Sequence, residues 1–86
     1  MQPDNAHAYN NLGILYAELA EFEKGIICSQ KAIKIMPNHV EALNNLGNIY
    51  KELREFEKAK NSYQKAIQIH PSHTKSYNNL GNIFKE

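Results

Sequence analysis

The sequence predicts an all-α fold built from a repeated helix pair. Three observations carry the prediction. Pro3, Pro37 and Pro71 stand 34 residues apart, and a fixed period in this range marks stacked supersecondary units. The pairs Asn10-Asn11, Asn44-Asn45 and Asn78-Asn79 keep the same interval, as do Leu12-Gly13, Leu46-Gly47 and Leu80-Gly81. Aligning residues 3–36 with 37–70 gives 18 identities in 34, and aligning 37–52 with 71–86 gives 10 in 16. The chain therefore divides as one segment, 1–86, into repeat one (6–39), repeat two (40–73) and a half repeat (74–86), five helices in all.

Each element follows from its residues. Repeat one opens on a helix around Asn10-Asn11-Leu12-Gly13, and its second helix runs to just before Pro37. In repeat two, Val40, Ala42, Leu43, Leu46, Gly47, Ile49, Tyr50 and Leu53 are apolar or small, whereas Glu41, Asn44, Asn45, Asn48, Lys51 and Glu52 are polar. At 100° per residue the first set covers an arc of roughly 180° and the second the remaining ~120°. An arc that wide means packing on two sides, with one polar ribbon left to water. Asn38, with Glu41 three residues on, reads as a capping box for this helix. The next helix, about Glu57 to Ile69, buries Ala59, Tyr63, Ala66 and Ile67, and Pro71 stops it; Pro37 and Pro3 do the same one and two units earlier. The fifth helix, Thr74 to Glu86, covers repeat two and leaves Tyr77, Leu80, Ile83 and Phe84 on its far side.

Composition excludes several classes of function. A chain of 86 residues spares few residues to enclose a substrate cavity, so a complete ordinary enzyme is not expected. The net charge of +1 supplies no field for nucleic acid or an anionic membrane. One cysteine cannot form an internal disulfide, and the N-terminus lacks the basic and apolar regions of a signal peptide. No stretch is long and apolar enough to span a membrane. An intracellular, cytoplasmic location is the expectation.

The pattern aromatic-x-x-Leu-Gly-x-x-Tyr, a small residue, then a closing Pro stands here as Tyr9, Leu12, Gly13, Tyr16, Ala32, Pro37. It recurs as Leu43, Leu46, Gly47, Tyr50, Ala59, Tyr63, Ala66, Pro71, and again as Tyr77, Leu80, Gly81, Phe84. This resembles the tetratricopeptide repeat (TPR) family over essentially the whole chain. The resemblance implies a right-handed solenoid of antiparallel helix pairs, with the first helices lining a concave groove and the second helices forming the convex back. Departures from the family pattern are informative. Ala20 and Arg54 stand where the inter-helix turn usually carries Gly; a left-handed backbone there costs on the order of 1 kcal/mol each. Gly25 replaces the usual Ala of the second helix, and Ser29 stands where repeat two has Tyr63. Repeat one is expected to be the looser unit.

The candidate site lies on the open arc of the first helices. Asn11, Asn45 and Asn79 share one structural position, Asn10, Asn44 and Asn78 its neighbour, and Asn48 and Asn82 come one turn further on. Asn is a poor interior helix residue, so eight on one surface run against local preference. Each carboxamide offers two donors and an acceptor, suited to holding the backbone of an extended peptide. The rival reading is that one Asn of each pair bonds a neighbouring helix and sets the stacking. The ladder resembles the superhelical repeats of O-linked N-acetylglucosamine transferases, which implies peptide-backbone contacts at Asn11, Asn45 and Asn79. A carboxylate clamp of the chaperone-tail type is not expected: Asn45 and Lys75 match it, but Asn10, Ile14 and Asn79 do not supply its other groups. Lys51, Lys75 and Lys85 border the groove with Glu18, Glu41, Glu52 and Glu86 interleaved, a mixed-sign rim or a mild preference for acidic peptides. His39, His70 and His73 read as exposed turn residues, with no ligand set for zinc, and Cys28 as a partly buried helix residue. Ile27 points outward on the back.

The expected function is a non-enzymatic scaffold that binds a protein or extended peptide, with no cofactor, no nucleic acid and no membrane. The chain reads as part of a longer array. The other readings are a targeting arm of a larger enzyme such as a glycosyltransferase, and a module that self-associates through uncapped ends.

Overall fold

A computed structural model describes residues 4–85, with side chains from 5 to 84. Five helices follow one another: α1 (Asp4–Glu18), α2 (Phe22–Ile35), α3 (Val40–Glu52), α4 (Phe56–Ile69) and α5 (Thr74–Lys85). Pro3 and Glu86 lie outside the described residues, as does the Lys85 side chain. Each helix packs on the next, and α3 also packs on α1 and on α5. The result is a row of helix pairs measuring 40 × 28 × 16 Å.

The two turns inside the pairs share one geometry. Ala20 and Arg54 take φ of 61° and 62°, left-handed as their position in the repeat requires. The Glu21 N–H donates to the Tyr16 carbonyl (2.8 Å) and the Ala20 N–H to that of Ala17 (3.0 Å); Glu55 to Tyr50 (2.8 Å) and Arg54 to Lys51 (2.9 Å) repeat them. These are the paired bonds of a Schellman ending, which satisfies helix carbonyls that would otherwise lack partners. The lysine one turn into each second helix lies over the tyrosine of the first: Lys24 is 5.7 Å from the Tyr16 ring and Lys58 5.6 Å from that of Tyr50. Each such contact contributes roughly 0.5–1 kcal/mol.

The helix starts correct one expectation. Asn38 does not cap α3. The N-cap is His39, whose Nδ1 accepts from the Ala42 N–H at 3.2 Å. His73 makes the equivalent contact to the Ser76 N–H (3.3 Å). His39 and His73 are thus not exposed turn residues: His39 is only 7% exposed and His73 is half-buried, while His70 is exposed. An imidazole nitrogen does here what an Asn oxygen does at other helix starts.

The core is made of small side chains between helices and a few large ones. Ala6, Ala32, Ala42, Ala59 and Ala66 let the helices approach, and Leu43, Leu46, Ile49 and Tyr63 fill the space around them. Tyr63 is fully buried, its ring against Gly47, where a Cβ would come within 2.6 Å of it. Burial holds the Tyr63 hydroxyl well above the ordinary tyrosine range, with the Glu52 carboxylate adding to the effect. Its O–H donates to the Asn48 Oδ1. Cys28 is buried and Ile27 is exposed. Among the described residues, no helix is long and apolar enough to cross a membrane.

Candidate functional site

The first helices of the three units, α1, α3 and α5, stand side by side and carry the asparagines. The 34-residue period alone would pair Asn10 with Asn44. The bonds run one residue further: the Asn45 Nδ2 donates to the Asn10 Oδ1 (2.9 Å), and the Asn79 Nδ2 to the Asn44 Oδ1 (3.1 Å). Each is a separation of 35 in sequence. The first Asn of a pair therefore reaches forward to the next unit, and the second reaches back. That division explains why the residues come in pairs.

It also corrects the open arc. Asn10 is 7% and Asn44 3% exposed, so neither lies on the ribbon left to water. The following first helix lands on that side and covers them. A buried carboxamide must be hydrogen-bonded, and Asn44 accepts a second bond, from the Ser76 hydroxyl at 3.2 Å. Asn78 and Asn11, which make no such bond among the described residues, are exposed. Asn45, Asn48 and Asn79 are half-buried and Asn82 is exposed. The ladder binds repeat to repeat through side chains on both sides.

Between α1 and α3 a cleft of about 280 Å³ opens on the face that carries Asn45 and Asn48. Gly13, Ile14, Ala17, Phe22 and Ile49 give it apolar lining, and Glu18 and Glu52 stand at it as well. Asn45 and Asn48 sit about one helical turn apart, roughly 5–6 Å between Cβ atoms. Both are held from behind: Asn45 by Asn10, Asn48 by the Tyr63 hydroxyl. Among the described residues, the Asn45 Oδ1 and the Asn48 Nδ2 make no hydrogen bond. Of the residues named from the sequence, the fold brings Asn45 and Asn48 to the cleft; Asn11, Asn78, Asn79 and Asn82 are elsewhere along the row, and Lys51 and Lys75 do not line it. The apolar lining went unread in the sequence. Its signal was Ile14, the one position of its column not held by the asparagine found in Asn48 and Asn82.

The histidines make a polar seam at the unit boundaries. The His7 and His39 rings meet edge to face with centroids 4.9 Å apart. At the next boundary Glu41 takes the place of His7, and the His73 Nε2 lies 3.1 Å from its Oε2. Burial lowers the His39 imidazole below the ordinary histidine value, and the neighbouring His7 lowers it further. Among the described residues, no three metal-ligating side chains converge.

Comparisons with known proteins agree with this architecture. Two tetratricopeptide repeat models match, one over residues 6–39 and one over 40–73. Among curated proteins no match is found. Two crystal structures of MamA superpose with TM-scores of 0.91 and 0.90 at 28% identity, covering 98% of this chain. The first TPR of Spaghetti (RPAP3), bound to the HSP90 peptide SRMEEVD, superposes at 0.92 with 22% identity over 96% of this chain. This chain spans 49% and 46% of the MamA chains and 66% of the RPAP3 one. With period, turn geometry, helix pairing and both repeat models in agreement, the chain belongs to the tetratricopeptide repeat family.

Proposed function

We propose that the face formed by α1, α3 and α5 binds an extended polypeptide, and that the chain serves as a scaffold. The observation that carries this is the acceptor of Asn45 and the donor of Asn48 at an apolar cleft. A peptide group offers one N–H and one C=O, and the two asparagines offer the complement. Because each is fixed by a second hydrogen bond, little side-chain freedom is lost on binding, which favours affinity. Asn11, Asn79 and Asn82 extend the polar row to either side. Asn10 and Asn44 act through the partners they hold. The RPAP3 domain of the same fold carries a bound peptide, which is in keeping with this use of the face.

The test is an NMR titration with pools of extended peptides, following the side-chain amides. Concerted shifts of Asn45 and Asn48, with smaller ones at Asn11 and Asn79, are expected. No shift in any of them with any pool sinks the proposal.

A second reading has its own observation. Leu15 on α1, Leu19 just after it, and Tyr77 and Phe84 on α5 are exposed, Phe84 to 68%. Where Gly47 is covered by a ring, Gly81 has nothing within 4 Å. Faces of this kind favour association with a second copy. Sedimentation over a range of protein concentrations checks it: a mass that rises with concentration in the parent chain and stays monomeric in Phe84→Lys supports it, and a constant monomer mass rejects it.

A further inference from the structure

We propose that the α1/α3 cleft selects a peptide in which an apolar side chain is followed by a lysine or arginine. This rests on the reading of that face as a polypeptide-binding one. At about 280 Å³ the cleft lies below the usual range for a whole small-molecule ligand, roughly 300–1,000 Å³. It suits a single side chain. Its floor of Ile14, Ala17 and Ile49, with Phe22 beside them, has no charge to offer such a side chain, so what enters must be apolar.

The electrostatics set the neighbour. Glu18 and Glu52 both line the cleft, and no lysine or arginine does. Neither carboxylate has an ion-pair partner among the described residues, whereas Glu21, Glu55, Glu57 and Glu41 each face a basic group. Glu18 and Glu52 are the last residues of α1 and α3. A carboxylate there sits at the negative end of the helix dipole, which opposes it. Two neighbouring helices thus end in the same locally unfavourable residue, at the same edge of one cleft. A cation placed between them relieves both. The rim is therefore not evenly mixed at this point, and an acidic peptide would meet repulsion.

The repeat localises the selection. One unit on, Asn48 occupies the place of Ile14 and Lys51 that of Ala17. The corresponding step between α3 and α5 accordingly loses the apolar floor and gains a cation. The apolar–basic pair has one register in which to sit.

The test uses blocked Ser/Gly peptides of one length with a central Leu-Lys, Leu-Glu or Ala-Lys, and Kd values from NMR shifts at low and high salt. Leu-Lys is expected to bind on the order of tenfold tighter than Leu-Glu at low salt, the summed effect of two exposed pairs gained and two repulsions lost. The gap should shrink as salt screens it. In a Glu18→Gln/Glu52→Gln variant it should fall below about twofold, while Leu-Lys still beats Ala-Lys. In Ile14→Asn, which installs the residue repeat two carries, the advantage of Leu over Ala should vanish. Circular dichroism checks that both variants remain helical. Binding of all three peptides with equal affinity, or tighter binding of Leu-Glu, overturns the selection and leaves the polypeptide-binding reading standing. No binding by any peptide overturns both.

Discussion

In repeat two, Gly47 opens a slot that the Tyr63 ring fills, and the hydroxyl beyond it holds Asn48. In repeat one, Gly13 faces Ser29, and Ile14 stands where Asn48 would be. The two differences belong together: with no tyrosine behind it, an asparagine at position 14 would lose its anchor. Repeat one closes the gap in another way. A Cβ at Gly13 would lie 3.3 Å from the Gly25 carbonyl oxygen, and one at Gly25 would lie 3.2 Å from that of Gly13. Two backbones meet where repeat two uses a side chain. Among the described residues, the Ser29 hydroxyl is buried without a partner. One backbone frame thus accepts two fillings, one based on a ring and one on close approach, and the second opens the apolar cleft beside Ile14.

The sharpest way to break this comparison is to remove the ring. Tyr63→Ala should destabilise the protein by about 3–5 kcal/mol, as for other buried aromatics, read from urea unfolding. Ser29→Ala at the equivalent place should be neutral or stabilise by up to about 1 kcal/mol, because it removes an unpaired buried hydroxyl. A large loss at Ser29 would mean that repeat one hides a bond for it. In the parent chain amide exchange should be faster over residues 6–36 than over 40–70.

The asparagine pairs give the next effect. Asn44→Ala removes an acceptor used by Ser76 and Asn79 and should lose about 1–3 kcal/mol. Asn78→Ala changes an exposed residue of the same column and should stay within about 0.5 kcal/mol. Equal losses at the two sites would contradict the forward-reaching role of the first Asn.

The turns should respond alike in both repeats. Arg54→Gly and Ala20→Gly each relieve a left-handed L-residue and should stabilise by about 1 kcal/mol. A gain in one repeat only would show that the two turns are not equivalent.

The smallest effect concerns the unit boundaries. His39 has its value lowered in the fold, by burial first and then by His7, against the opposing pull of Glu41. The neutral form is therefore the one the fold favours. That stability is present in full above the ordinary histidine value of about 6.5 and is lost as pH falls through it toward the lowered one. The melting temperature should drop between about pH 7 and 5, and His39→Asn, which keeps a capping side chain but no titrating ring, should flatten the drop. The same slope in that variant would place the effect elsewhere.

The repeat, the five helices, the place of the turns at Ala20 and Arg54 and the burial of Ala59, Tyr63 and Ala66 were all legible in the sequence. They depend on periodicity, on helical phase and on what proline and a missing glycine do to the backbone, all of which act over a few residues. The tertiary structure alone decided which asparagine of each pair is buried, that His39 rather than Asn38 caps α3, and that Ile14 and Phe22 join Asn45 at one cleft. Adjacent residues on a helix differ by 100°, so two polar neighbours look alike to any pattern. The direction from which the next helix arrives separates them, and that direction is a property of packing between residues 34 or more apart.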